Sequence, residues 1–229
     1  MSKKKIKVRV KKRKINIKRI LIVLFILILT FLIGYYISNL PIKNIYIIGN
    51  DILSDKEVIE ISKIDDYPSF LSTGTKNIID LLQENIYIKN VYVKKKLFNK
   101  LYIYITEKKV LCIYNEQLVL DDSSFVDNIY KIKGFPILIS DISNIKDKFI
   151  SKFALVDDNI LLKISEIEYL PNDVDNERFL LKMNDGNLVY ITLNKIEKIN
   201  KYNSIYSSLE GKKGIIYLDS GDYVEIKEE

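Results

Sequence analysis

The chain has 229 residues, a formal net charge of +6, no histidine and a single cysteine, Cys112. This composition excludes an internal disulfide, a thiolate or imidazole zinc cage, and every catalytic scheme built on a histidine base. Hydrophobic residues make up 48% of the chain, enough for a packed core, and the length suits one large or two small domains.

The charge is unevenly placed. Residues 1–19 hold 11 Lys/Arg and no acid, whereas the remaining 210 residues hold 25 basic and 30 acidic side chains, a net of −5. The bulk of the chain therefore lacks the basic excess that nucleic-acid binding requires. The tail reads instead as a partner for anionic lipid headgroups, with Lys11, Lys12, Arg13, Lys14, Lys18 and Arg19 holding the N-terminus inside the cell.

From Ile20 to Ile37 the sequence is apolar except for Thr30 and Gly34. As a helix this run spans roughly 27 Å, close to the hydrocarbon thickness of a bilayer. Tyr35 and Tyr36 suit the interface at its end, and Pro41 stops the helix from continuing. A cleaved signal peptide is the rival reading, but no small-x-small cleavage site follows, so residues 20–40 are read as an uncleaved anchor.

Beyond Pro41, the alternation Ile42-Lys43-Asn44-Ile45-Tyr46-Ile47-Ile48 followed by Gly49-Asn50 predicts a strand and a turn. Ser54-Asp55-Lys56-Glu57 is a capping box, opening a helix through Val58, Ile61 and Ile64. After a loop containing Pro68, Thr75 is placed to cap a second helix carrying Ile78, Ile79, Leu81 and Leu82. Val91 and Val93, then Leu101, Ile103 and Ile105, alternate with polar or tyrosine neighbours and read as a hairpin ending at Glu107. The order β-α-α-β-β fits two helices covering one face of a small sheet.

The second half, residues 110–229, is mostly strands. Val110–Tyr114 and Gln117–Leu120 pair around Asn115-Glu116, and Ile137–Ile139 forms a short run. Residues Lys146–Leu162 read as helical, Ile164–Tyr169 and Arg178–Met183 as strands, and Asn184-Asp185-Gly186-Asn187 as a hairpin turn into Leu188–Thr192. Residues Lys195–Leu209 form an amphipathic helix stopped by Gly211, and Gly214–Leu218 with Tyr223–Ile226 close the chain as a last strand pair. The fold class is α+β: one transmembrane helix, a small β-α-α-β-β domain at 41–109, and a larger, mostly antiparallel β domain.

Several features invite catalytic readings that the residues do not favour. Asp65-Asp66, Asp121-Asp122 and Asp157-Asp158 lie in predicted loops, where Asp forms turns and caps, and adjacent carboxylates do not flank one bond. Cys112 sits in an apolar strand as a small core residue. The lysines Lys94-Lys95-Lys96, Lys100 and Lys108-Lys109 are read as one cluster around the closing hairpin, solvated and edge-protecting, with contact to anionic wall polymers or an acidic partner as the sharper reading.

In order and spacing the chain resembles the bacterial cell-division family FtsQ/DivIB. The residues that carry the resemblance are Ile42-Lys43-Asn44-Ile45 through Gly49-Asn50, Val91-x-Val93, Leu101-x-Ile103-x-Ile105-x-Glu107, Leu118-Val119-Leu120-Asp121 and Asn184-Asp185-Gly186-Asn187. Asn99 stands where the family often has proline. The resemblance implies a POTRA domain at 41–109, a β domain at 110–229, a cytoplasmic N-terminus and enrichment at the division septum. It also implies a non-enzymatic scaffold that takes no cofactor, metal, small-molecule substrate or nucleic acid. Its implied partners are the bilayer and small bitopic division proteins of the FtsL and DivIC/FtsB type. A terminal strand leaves a row of backbone groups open to a partner strand, so Ile216, Tyr217, Leu218, Tyr223, Val224 and Ile226 are the candidate docking residues, with completion of the core as the competing reading for each of them. The alternative is an anchored wall-modifying enzyme without a histidine base.

Overall fold

The computed structural model describes residues 16–97 and 99–227. Helix α1 (Ile17–Ser38) is apolar on every side, and none of its residues is buried against the rest of the protein. At about 1.5 Å per residue its length is sufficient to cross a bilayer. Lys18 and Arg19 form its first turn, where the Asn16 side chain caps the Arg19 N–H; Lys11, Lys12, Arg13 and Lys14 lie outside the described residues.

A three-stranded sheet follows directly. Strands β1 (Asn44–Ile48), β2 (Ile88–Lys96) and β3 (Lys100–Glu107) are ordered β1-β3-β2, with β1 parallel and β2 antiparallel to the central β3. Helices α2 (Asp55–Ile61) and α3 (Thr75–Gln83) bury Val58, Ile78 and Leu82 with the apolar face of the sheet. The Ser54/Glu57 capping box is fully formed. Thr75, by contrast, is the first helical residue; Gly74 holds the cap position without a side-chain bond. Gly49, at φ +87°, is required at the β1 turn, because a Cβ there would stand 2.2 Å from the Ile105 carbonyl oxygen.

The second sheet has nine strands. They are β4 (Val110–Tyr114), β5 (Gln117–Leu120), β6 (Phe125–Asp127), β7 (Ile137–Leu138), β8 (Ile164–Tyr169), β9 (Arg178–Met183), β10 (Leu188–Thr192), β11 (Gly214–Tyr217) and β12 (Tyr223–Ile226). Their order across the sheet is β12-β11-β10-β9-β8-β7-β4-β5-β6. Pairing is antiparallel except at β4–β7, β7–β8 and β10–β11. The predicted helix over 146–162 is instead two short helices, α4 (Lys146–Phe153) and α5 (Asp158–Leu161), and the one over 195–209 begins as a 3-10 helix (Leu193–Lys201) before α6 (Tyr202–Ser208). Phe149, Phe153 and Phe179 pack together in the core, with ring centroids 4.2 to 6.0 Å apart.

The β4–β5 hairpin belongs to both halves of the protein. Leu118 and Leu120 pack into the core of the first sheet, while Val119 between them packs into the core of the second. Alternation along a strand makes this division possible. Ion pairs reinforce the junction: Lys89–Asp121 and Lys108–Asp122 at 2.7 Å, and Lys109–Asp158 at 2.7 Å. The lysine cluster expected around one hairpin is therefore split. Lys94, Lys95, Lys96 and Lys100 surround the β2–β3 tip, whereas Lys108 and Lys109 lie at the far end of β3, neutralised by carboxylates.

Candidate functional site: the β12 edge

The last two strands form at the sheet margin because a short turn, Leu218 to Asp222, polar after its first residue, folds Tyr223–Ile226 back onto β11. The turn is fixed from outside. Arg178 of β9 donates to Asp219 at 2.7 Å, and its guanidinium lies 4.0 Å from the centre of the Tyr190 ring. Lys198 pairs with Asp222 at 2.5 Å. Burial opposes ionisation of Asp219, but bonds from Arg178 and Ser220 outweigh it and hold the carboxyl below its usual range.

β12 pairs with β11 on one side only, and all four of its residues are exposed. Its outer row of N–H and C=O groups has no strand beside it among the described residues. The register places Val224 opposite Ile216 and Ile226 opposite Gly214 on one face, and Tyr223 opposite Tyr217 on the other. On the first face Val224, Ile205, Ile216 and Leu218 line a groove of about 390 Å³ between α6 and the strand pair. On the second face Tyr190, Tyr217 and Tyr223 stack in a row, with centroids 5.3 and 4.6 Å apart.

These positions sort the six candidate residues. Ile216 and Leu218 are 1% and 5% exposed and belong to the core, so their side chains serve packing and form only the floor of the groove. Tyr217 is half-buried between its two tyrosine neighbours. Tyr223, Val224 and Ile226 are at the surface, at 46%, 36% and 51% exposure. Sequence reasoning missed Tyr190 and Arg178, which complete the aromatic row; they sit on β10 and β9, distant in sequence, and only the strand order brings them together.

Cys112 and three of the paired aspartates are engaged in packing and ion pairs. Cys112 is fully buried, and burial pushes its thiol up to about 12, which leaves it unreactive. Asp121, Asp122 and Asp158 are held by lysines at the junction. Among the described residues no group of three or more Cys, His, Asp or Glu is placed to hold a metal ion.

A membrane-length apolar helix leading without a linker into a β-α-α-β-β unit, and then into a sheet with an open terminal edge, defines a class: single-pass membrane proteins built on a POTRA domain. A POTRA domain of the FtsQ type matches residues 40–108. The cell division protein DivIB of Bacillus subtilis (strain 168) is 30% identical over 227 residues, covering 94% of this chain and 86% of that protein. The same-named protein of Bacillus anthracis is 30% identical over 226 residues, covering 94% and 85%. The protein from Listeria monocytogenes is 28% identical over 231 residues, covering 94% and 83%. The chain belongs to the FtsQ/DivIB family of cell-division proteins.

Proposed function

We propose that this protein is a non-enzymatic scaffold of the bacterial divisome, with the basic N-terminus in the cytoplasm and residues 41–229 outside the membrane. Its outer part binds small bitopic division proteins of the FtsL and DivIC/FtsB type and supports septum formation. The observation that carries this reading is the β12 edge: an exposed edge strand, with an apolar groove on one face and a tyrosine row on the other. A partner strand added to β12 continues the nine-stranded sheet, and main-chain hydrogen bonds supply affinity. The groove beside Val224 and Ile205 offers the same partner an apolar contact, and contact with Tyr223 supplies specificity. The inward retention of residues 1–19 follows from their 11 positive charges.

The test is a fluorescent fusion to the N-terminus, followed in dividing cells with and without depletion of the native protein. Recruitment to mid-cell, together with filamentous growth on depletion, is the expected outcome. Uniform membrane signal with normal division on depletion contradicts the scaffold.

A further inference from the structure

The anchor is hydrogen-bonded directly to the first domain. Three residues after α1 ends at Ser38, the Pro41 carbonyl accepts from Asn99 Nδ2 at 2.9 Å, and Asn99 is in the turn of the β2–β3 hairpin. The Lys43 N–H donates to the Asn99 carbonyl at 3.0 Å. The loop over 65–74 is attached in the same way: the Phe70 N–H donates to the Leu40 carbonyl at 2.8 Å, the Ile42 N–H to the Pro68 carbonyl at 3.0 Å, and the Ser69 hydroxyl to the Ser38 carbonyl. Three extended residues reach about 11 Å at most, so the hairpin tip and this loop are held close to the membrane end of the helix.

The surface held there has an unusual composition for a solvated one. Leu97, at the tip, is 82% exposed; Leu71 and Tyr67, on the loop, are 56% and 74% exposed. The two segments join, since Lys95 Nζ donates to the Phe70 carbonyl and Phe70, Lys96, Leu97, Lys100 and Tyr102 line one open groove. Lys96 and Lys100 line it, with the Lys96 ammonium 4.1 Å from the centre of the Tyr102 ring, and Lys94 is exposed two residues before Lys96 on β2. None of the three forms an ion pair among the described residues; Asp65 and Asp66 are the acids at the start of the loop. Apolar side chains ringed by lysines are the composition that binds the headgroup layer of an anionic membrane.

We propose that the β2–β3 hairpin tip and the 67–71 loop rest on the membrane at the C-terminal end of α1, with Leu97 and Leu71 in the interfacial layer and Lys94, Lys96 and Lys100 against anionic phospholipid headgroups. The bilayer is the occupant the observations favour, because this surface is continuous with an anchor that is already in it. The contact fixes the tilt of the first domain, and through the shared β4–β5 hairpin it fixes the orientation of the second. It depends on α1 spanning a bilayer and not on the β12 edge, so the two fail separately.

The test uses the full chain in vesicles of phosphatidylglycerol and phosphatidylethanolamine, spin-labelled in turn at Leu97→Cys, Leu71→Cys and the control Val174→Cys. Val174 is 97% exposed, in the loop before β9. Cys112 is fully buried, and the chain without added cysteine reports any label it takes up. Collision rates with lipid-soluble oxygen and a water-soluble nickel chelate are compared. The expected oxygen-to-nickel ratio at positions 97 and 71 is about threefold or more above that at 174. It falls toward the control in phosphatidylcholine and in the variant K94E/K96E/K100E. Ratios at 97 and 71 equal to the control in anionic vesicles overturn the proposal, as does protection that appears only when an anionic wall polymer is added. High ratios that ignore both lipid charge and the triple substitution overturn the role given to the lysines.

Discussion

The Tyr130 hydroxyl donates to the Glu57 carboxylate at 3.0 Å, joining the segment after β6 to the first turn of α2 across 73 positions of chain. Glu57 is also the reciprocal partner of Ser54 in the capping box, accepting from its N–H at 2.9 Å and its hydroxyl at 2.7 Å. The Ser54 backbone bond, then its hydroxyl, then Tyr130 hold the Glu57 carboxyl below its usual range; burial, and then Glu57, push the Tyr130 phenol up to about 12. Tyr130→Phe removes this one of the several bonds between the two halves, and an expected loss of about 1 kcal/mol follows. Thermal unfolding of the full chain checks it, with Ser54→Ala as the comparison that weakens the cap alone.

Glu107 ends β3 and gathers three backbone donors: the N–H groups of Asp51, Ile52 and Leu53 at 3.0, 2.7 and 2.9 Å. One carboxylate thus holds three successive N–H groups of the turn between β1 and α2, beside the Asn50 amide that donates to the Leu53 carbonyl. Glu107→Ala leaves these donors without a partner and is expected to cost about 3 kcal/mol, with faster amide exchange in 50–54. Exchange in that segment unchanged from the native protein contradicts the assignment.

The shared hairpin predicts cooperative unfolding. Leu120 is fully buried in the core of the first sheet, yet its neighbour Val119 is buried in the second. Leu120→Ala is expected to destabilise by about 2–5 kcal/mol. Calorimetry is expected to show one transition for the two halves, moved as a whole by the substitution. Two transitions, with only one of them moved, exclude the coupling.

Asp122 gives a pH signature. Burial raises its pKa, but the bonds from Lys108 and Ser124 outweigh this and lower it from 3.8 to about 2. A carboxyl depressed on folding contributes stability above its unfolded pKa and loses it as pH falls through the folded one. The contribution is therefore expected to be intact at neutral pH and lost between about pH 4 and about pH 2. The side chain is 41% exposed, so solvent screening keeps the effect small. Denaturant midpoints across this range check it, with Asp122→Asn flattening that part of the profile.

Local patterns in the sequence carried much of this fold. The Ser54/Glu57 capping box, the Asn115-Glu116 turn with both residues at positive φ, and the Gly186 turn at φ +89° all form where their chemistry dictates. Asn99, at φ +56°, adopts a backbone conformation that proline cannot reach. What was not legible depends on distant partners. Alternation in β1 and β11 fixes which residues face the core but not that each lies parallel to its neighbour, β3 or β10. β6 has three residues, too few for a period to show, and α4 and α5 are separated by extended backbone at Asp157, next to the buried Val156. At the β12 edge the alternation of apolar residues was visible in both strands. Burial of Ile216 and exposure of Ile226 were not, because the same pattern serves an inner strand and an edge strand alike.

The most direct measurement is co-purification of the small bitopic division proteins proposed as partners with the full chain carrying Val224→Asp or Ile226→Asp. Both side chains are exposed, so native-like melting and membrane insertion are expected, together with loss of at least about nine-tenths of the bound partner. Undiminished co-purification by both variants, at native stability, contradicts β12 as the docking edge.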